Sequence, residues 1–249
     1  MTYALFFFTA MAAFAFSTMA GGGGAMILLP VVNAALGSEK AAPIIQLGNF
    51  LGRPTRIVLF WNNINWNIVK SYLPLAAAGA FFGAWLFSNF KSDVLQLIIA
   101  LFLLSTAWQF KFGKEKRSFP MKLRWFGPIG FVVAFISSLV GATGPLLNPF
   151  YLNYGTSKEE LVATKAANSF FVAIVQLPTY AFFGSLEGSM WSFGLVIGVG
   201  AGLGNFIGKR WLKKISDLRF RQILVITMVM IGALWLVKLV HKYFFVVLE

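Results

Sequence analysis

Three basic residues lie inside apolar stretches of this chain, where a charge is costly. Arg53 and Arg56 lie within residues 44–60, and Lys165 lies in an equally apolar stretch of the second half. An ionisable side chain at membrane depth costs about 2.5–3.5 kcal/mol on insertion scales, so its first interpretation is functional. We expect Arg53 and Lys165 to attract an anion. Arg56 is close to Trp61, and we expect it to snorkel to the membrane interface.

Two glycine breaks interrupt apolar segments in matching contexts 120 residues apart. The first break is residues 21–24 (Gly-Gly-Gly-Gly), and the second is residues 141–144 (Gly-Ala-Thr-Gly). Each break creates a helix N-terminus, whose free N–H groups and positive dipole end attract anions. Close helix packing by glycine is the alternative. The candidate backbone ligands are Gly22, Gly23, Gly24, Thr143 and Gly144.

Amide side chains share segments with the cations. Gln46 and Asn49 precede Arg53, and the spacing of four between Asn49 and Arg53 places both on one helix face. Asn168 follows Lys165 by three residues. These amides could donate hydrogen bonds to an anion, or they could hydrogen-bond between helices. The predicted substrate site therefore comprises Gln46, Asn49, Arg53, Lys165 and Asn168 together with the backbone of both breaks.

Residues that proton pumps and enzymes use are missing from the apolar segments. All eight carboxylates lie in loops, at helix ends or at the terminus, and the chain has one histidine and no cysteine. No phosphate-binding glycine–lysine motif of ATPases occurs. We expect no enzyme activity, no cofactor and no metal. Any coupled proton would travel on the substrate itself.

Composition places the chain in a membrane. Residues are 58% hydrophobic and 12% charged, with a mean hydropathy of +0.76. Uniformly apolar runs predict an all-α polytopic membrane protein with a retained N-terminal segment. The net charge of +13 is explained by cytoplasmic loops facing anionic lipid rather than by nucleic-acid binding.

The apolar segments form two matching sets of about four. Residues 1–110 are predicted as the first membrane repeat, 111–127 as a cytoplasmic linker and 128–249 as the second repeat. Each repeat has a broken or re-entrant first segment. Gln46 and Asn49 match Lys165 and Asn168 at an offset of 119, and the glycine pair 79/83 matches 200/204. The series Gly200, Gly204 and Gly208 predicts close helix packing.

Basic residues indicate how the repeats are oriented. Residues 111–124 and 209–221 each carry six Lys or Arg, so both are expected in the cytoplasm. Eight simple crossings would place one of them outside, whereas a re-entrant segment at 129–154 places both inside. The repeats are then inverted. Eight simple spans with two kinks remain the alternative.

The duplicated break, the polar helix that follows it and the Gly-Ala-x-x-Gly segment resemble the sulfite exporter TauE/SafE family of membrane permeases over essentially the whole chain. The resemblance implies transport of sulfite, sulfonates or related organic acids. We expect a secondary exporter of a small anion, most simply sulfite, in the cell inner membrane, with alternating access and a possible homo-oligomer. A passive channel and a non-transporting membrane assembly protein remain the alternatives.

Overall fold

The computed structural model describes residues 2–86, 93–113, 117–140, 144–183, 186 and 188–244. Over these residues it contains α-helices, short 3-10 turns and no strand. The helices are α1 (Thr2–Met19), α2 (Gly24–Leu36), α3 (Ser38–Leu59), α4 (Trp66–Leu86), α5 (Asp93–Gln109), α6 (Phe126–Val140), α7 (Asn148–Tyr154), α8 (Lys158–Phe182), α9 (Met190–Lys214) and α10 (Asp217–Phe244). The predicted all-α fold is confirmed.

Within the described part of the chain, five helices are long and apolar enough to cross a membrane: Thr2–Met19, Trp66–Leu86, Lys158–Phe182, Met190–Lys214 and Asp217–Val237. Large apolar side chains remain exposed on the outside of the bundle, among them Trp108 at 85% and Phe182 at 83%. Such side chains are stable against lipid rather than water. The fold is that of a polytopic membrane protein.

The first segment of the chain is broken as predicted. Gly21, Gly22 and Gly23 have φ angles of 68°, 140° and 98°, which L side chains rarely adopt. The chain leaves α1 there and begins α2 at Gly24. At 18 residues, α1 is ~27 Å long at 1.5 Å per residue. It therefore exceeds the half-bilayer length that symmetry with the second break suggests.

The second interruption is built differently. After α6 ends at Val140, a 3-10 turn at Gly144–Leu147 leads into the seven-residue α7. Thr143 falls in residues 141–143, outside the described part of the chain. The helix after this break is about half as long as α2, which has 13 residues.

Glycine ridges pack the first helix of each half against a helix of the other half. On α4, a Cβ added to Gly79 or Gly83 would lie 2.2 or 2.4 Å from a backbone oxygen of α6. On α9, a Cβ at Gly200, Gly204 or Gly208 would lie 2.3–2.6 Å from a backbone oxygen of α1. The predicted close packing of the α9 glycines is confirmed, and its partner is α1.

Helices α3 and α8 form the centre of the bundle. α3 packs against α8 and α9, and α8 also packs against α4. Gly48 and Gly52 let α3 approach α9 closely, since a Cβ on Gly52 would lie 2.6 Å from the Ala201 Cβ. Because α3 carries Arg53 and Arg56 and α8 carries Lys165, this packing brings the predicted cations together.

Candidate functional site

A cavity of about 100 Å³ lies between the two breaks and the central helices. A cavity of about 10–15 Å³ already holds one water, so this cavity has room for a small ligand. Of the predicted site residues, the following line it: Gly22, Gly23, Gly24, Gln46, Asn49, Arg53, Gly144 and Lys165. Asn168 does not line the cavity.

The two breaks meet at one end of this cavity. A Cβ on Gly22 would lie 3.6 Å from the Gly144 carbonyl group, and one on Gly144 would lie 3.5 Å from the Gly23 nitrogen. In α2 the backbone hydrogen bonds begin at Met26, whose N–H donates to the Gly23 oxygen at 3.0 Å. Within the described residues, the N–H groups of Gly24 and Ala25 have no backbone acceptor. The helix end is thus available to an anion.

Lys165 connects the two broken segments. Its Nζ donates hydrogen bonds to the Gly21 oxygen of the first break and to Oδ1 of Asn148, which begins the helix after the second break. The side chain is buried, with Lys165 7% exposed. A Cβ on Gly22 would lie 2.8 Å from Nζ. Glycine at position 22 is therefore required by its φ angle, and a Cβ there would also displace the flexible end of Lys165.

Arg53 is anchored across the α3–α8 interface. Its Nη1 donates to the Ser169 carbonyl oxygen at 2.8 Å. A guanidinium group has five N–H donors, so one such bond leaves others for a ligand in the cavity that Arg53 lines.

The prediction that Arg56 snorkels to the interface is wrong. Arg56 lines the cavity, where Nε and Nη2 donate to Asn205 Oδ1 at 3.1 and 2.8 Å. Nη2 also lies 2.8 Å from the Thr18 hydroxyl. These acceptors satisfy the guanidinium inside the bundle, so it need not reach the membrane surface.

Asn205 lines the cavity and was not among the residues predicted from the sequence. Besides accepting from Arg56, its Nδ2 donates to the Gly52 oxygen at 2.9 Å and to the Thr55 hydroxyl at 3.0 Å. These bonds fix the orientation of the amide and hence of Arg56. Two signals in the sequence could have revealed the pair. Arg56 is one helical turn from Arg53, and Asn205 is a lone amide on an otherwise apolar, glycine-rich helix face.

The three predicted amides have different environments. Gln46 Nε2 donates to the Ser137 hydroxyl at 3.3 Å, and its buried Oε1 has no partner among the described residues. Asn49, 4% exposed, lines the cavity and has no hydrogen bond to another described residue. Asn168 instead donates from Nδ2 to the hydroxyl of Tyr151 at 2.7 Å, behind the cavity wall. Its role in this structure is a contact between α8 and α7.

The cavity is strongly positive. Arg53, Arg56 and Lys165 line it, and no described carboxylate does. Over the same described residues, the ion pairs involve Lys158 with Glu159 and Asp217, outside the cavity. Cations buried without counter-ions are costly unless an anion joins them. The arrangement can bind a small anion through charge-assisted hydrogen bonds.

These features define a helical membrane protein with a cationic cavity at its centre. The family model of the sulfite exporter TauE/SafE matches residues 5–234, and the chain belongs to that family. A curated relative from Bacillus subtilis (strain 168), the probable membrane transporter protein YtnM, is 28% identical over 124 residues. That alignment covers 46% of this chain and 41% of the relative. No solved structure matches the chain.

Proposed function

We propose that this protein is a secondary transporter that exports a small sulfur-containing oxyanion, with sulfite as its substrate. The supporting observation is the central cavity, which three cations line and no described carboxylate neutralises. The family's description as sulfite exporters supports this choice of substrate class. The cavity volume of about 100 Å³ is sufficient for a four-atom oxyanion.

In the proposed complex, α3 supplies the charge contacts. Arg53 and Arg56 have N–H groups beyond those that bind Ser169, Asn205 and Thr18, and these would donate to the oxyanion. Asn49 would add an amide N–H. The N–H groups of Gly24 and Ala25 at the start of α2 would complete the replacement of the anion's hydration.

Alternating access would come from two inverted repeats, 1–110 and 128–249, joined by a cytoplasmic linker at 111–127. Reciprocal packing supports this proposal, because α1 packs on α9 while α6 packs on α4. α3 and α8 then occupy matching central positions. Rocking of two such repeats around the fixed cavity would open it to each side of the membrane in turn. We assign the protein to the cell inner membrane, with the basic loops facing the cytoplasm.

Sulfite flux into proteoliposomes, with and without a pH gradient, tests the proposal. Saturable flux that competing sulfonates inhibit is expected, and it should fall in the Arg53→Ala variant. Dependence on the pH gradient would show that hydrogen sulfite carries the proton. Flux that rises linearly with concentration would instead establish a channel. Absence of flux from monodisperse protein would contradict transport of sulfite and favour the assembly-protein alternative.

A further inference from the structure

The Lys165 ammonium lies where a transporter of this architecture would hold a metal cation. Its two partners are carbonyl oxygens, the backbone oxygen of Gly21 and the side-chain oxygen of Asn148. One belongs to the first break and the other to the helix after the second break. In transporters with broken helices, unwound backbone carbonyls and helix C-terminal ends are the groups that coordinate Na⁺.

The polarity of α1 supports a cation at this point. α1 ends at Met19, so the Gly21 oxygen lies just beyond its C-terminus, the negative end of the helix dipole. The positive φ of Gly21 and Gly22 belongs to this unwound stretch. A positive group there is favoured by the dipole and by the exposed carbonyl, whether it is an ion or an ammonium.

Two other lysines are seen among the described residues to donate to carbonyl oxygens at helix C-termini, but neither connects the two broken segments. Lys209 Nζ donates to the Leu59 oxygen at the end of α3, and Lys158 Nζ donates to the Ile215 oxygen after α9. Neither lines the cavity. Lys165 is distinguished because it is buried, lines the cavity and bridges the two broken segments.

We propose that Lys165 is a built-in cation that occupies the site of a coupling sodium ion, so that transport proceeds without Na⁺. The ammonium is carried by the chain, and it holds the α1–α2 and α6–α7 segments together in place of a bound ion. This inference rests on the proposed transport function, whose coupling it specifies. If the inference is right, the Lys165→Ala variant has a site that is open to a small monovalent cation.

Thermal unfolding of the purified variant in detergent tests the site without any substrate. Lys165→Ala should unfold about 2–4 °C higher in NaCl or NH₄Cl than in choline chloride at equal ionic strength, because an ion that binds only the folded state stabilises it. Lys165→Met, whose side chain fills the space without a charge, should show no such difference. Lys209→Ala, which removes a lysine from another helix end, should also show none, and neither should the wild type.

Flux measurements give the second readout. Wild-type proteoliposomes should transport sulfite at the same rate in Na⁺ and in choline, within about twofold. The inference is overturned if wild-type flux is lost without Na⁺, or if Lys165→Ala responds to no cation. Vesicles that carry no sulfite at all would overturn the proposed function, whereas the unfolding experiment would still decide the role of Lys165.

Discussion

Gln46 and Asn49 on α3 and Lys165 and Asn168 on α8 occupy matching positions in the two halves, yet they meet the cavity differently. Gln46 and Asn49 both line it, whereas on α8 Lys165 lines it and Asn168 is bonded behind it to Tyr151. Of these two helices, only α3 carries arginines. Arg53 lies one turn beyond Asn49 and Arg56 lies two turns beyond it. Under the proposed function, α3 would carry the anion contacts, whereas Lys165 on α8 connects the two broken segments.

The two glycine breaks also differ from each other. The first is a run of glycines with positive φ, and its conformation depends on the absence of side chains. At the second, Gly144 has no positive φ, and a Cβ there would meet the Gly23 nitrogen at an ordinary 3.5 Å. We infer that the glycines of the first break tolerate substitution much less than Gly144 does.

Replacing Gly22 by alanine should have the largest effect of the changes considered. An alanine there would add about 1–3 kcal/mol of backbone strain. Its Cβ would also lie 2.8 Å from Lys165 Nζ and displace it. We expect sulfite flux to fall roughly tenfold or more. Gly144→Ala is the matched change in the other break, and it should retain flux within about twofold of wild type. An equal loss of sulfite flux in the two variants would contradict the inferred difference between the two breaks.

Removing either arginine of α3 should weaken anion binding next most strongly. A hydrogen bond to a charged group contributes about 1.5–3 kcal/mol, so Arg53→Ala and Arg56→Ala should each raise the sulfite Kd roughly tenfold or more. Isothermal titration of detergent-purified protein measures this. Arg219→Ala removes an exposed arginine outside the cavity and should leave the Kd unchanged. Unaltered Kd in both α3 variants would remove the cationic part of the proposed site.

Asn205→Ala should have a smaller effect that depends on Arg56. The variant loses the hydrogen bonds that orient the Arg56 guanidinium. We therefore expect the sulfite Kd to rise roughly fivefold, which corresponds to about 1 kcal/mol. In a double-mutant cycle, Asn205→Ala should add little to Arg56→Ala, because both act on one group. Additive changes would show that Asn205 acts independently of Arg56.

The matched asparagines give the smallest and most specific test. Asn49→Ala should raise the sulfite Kd roughly threefold, since a single neutral hydrogen bond contributes about 1 kcal/mol or less. Asn168→Ala should leave the Kd unchanged and lower the unfolding temperature, because it loses the bond to Tyr151. A larger rise in Kd for Asn168→Ala than for Asn49→Ala would reverse the comparison between α3 and α8.

The sequence was sufficient to predict the helical class, the broken first segment and eight of the residues that line the cavity. Arg53 and Lys165 are recognised because a charge in an apolar segment is costly, and the glycines because they form an unusual run. Both signals can be read from neighbouring residues in the sequence. Arg56 was misassigned because proximity to Trp61 suggested an escape to the interface. Its actual partners, Thr18 and Asn205, come from distant parts of the chain. No local pattern reports such a contact.

Helix pairing was likewise beyond the sequence pattern. The ridge at Gly200, Gly204 and Gly208 predicts that another backbone comes close, but a small-residue face carries no information about which helix fills it. The separation of Asn49 from Asn168 has the same origin. Both are polar residues on a central helix, and only the positions of α7 and Tyr151 decide that one of them faces away from the cavity.

The packing of α1 on α9 has a consequence for biogenesis. About 170 residues separate the end of α1 from the start of α9, and at ~5–20 residues per second the ribosome needs about 10–30 s to make them. During that time α1 lies in the bilayer before α9 has been synthesised. A chain that stops before α9 leaves uncovered the face of α1 on which the α9 glycines pack, so quality-control proteases should recognise truncated products by their N-terminal segment.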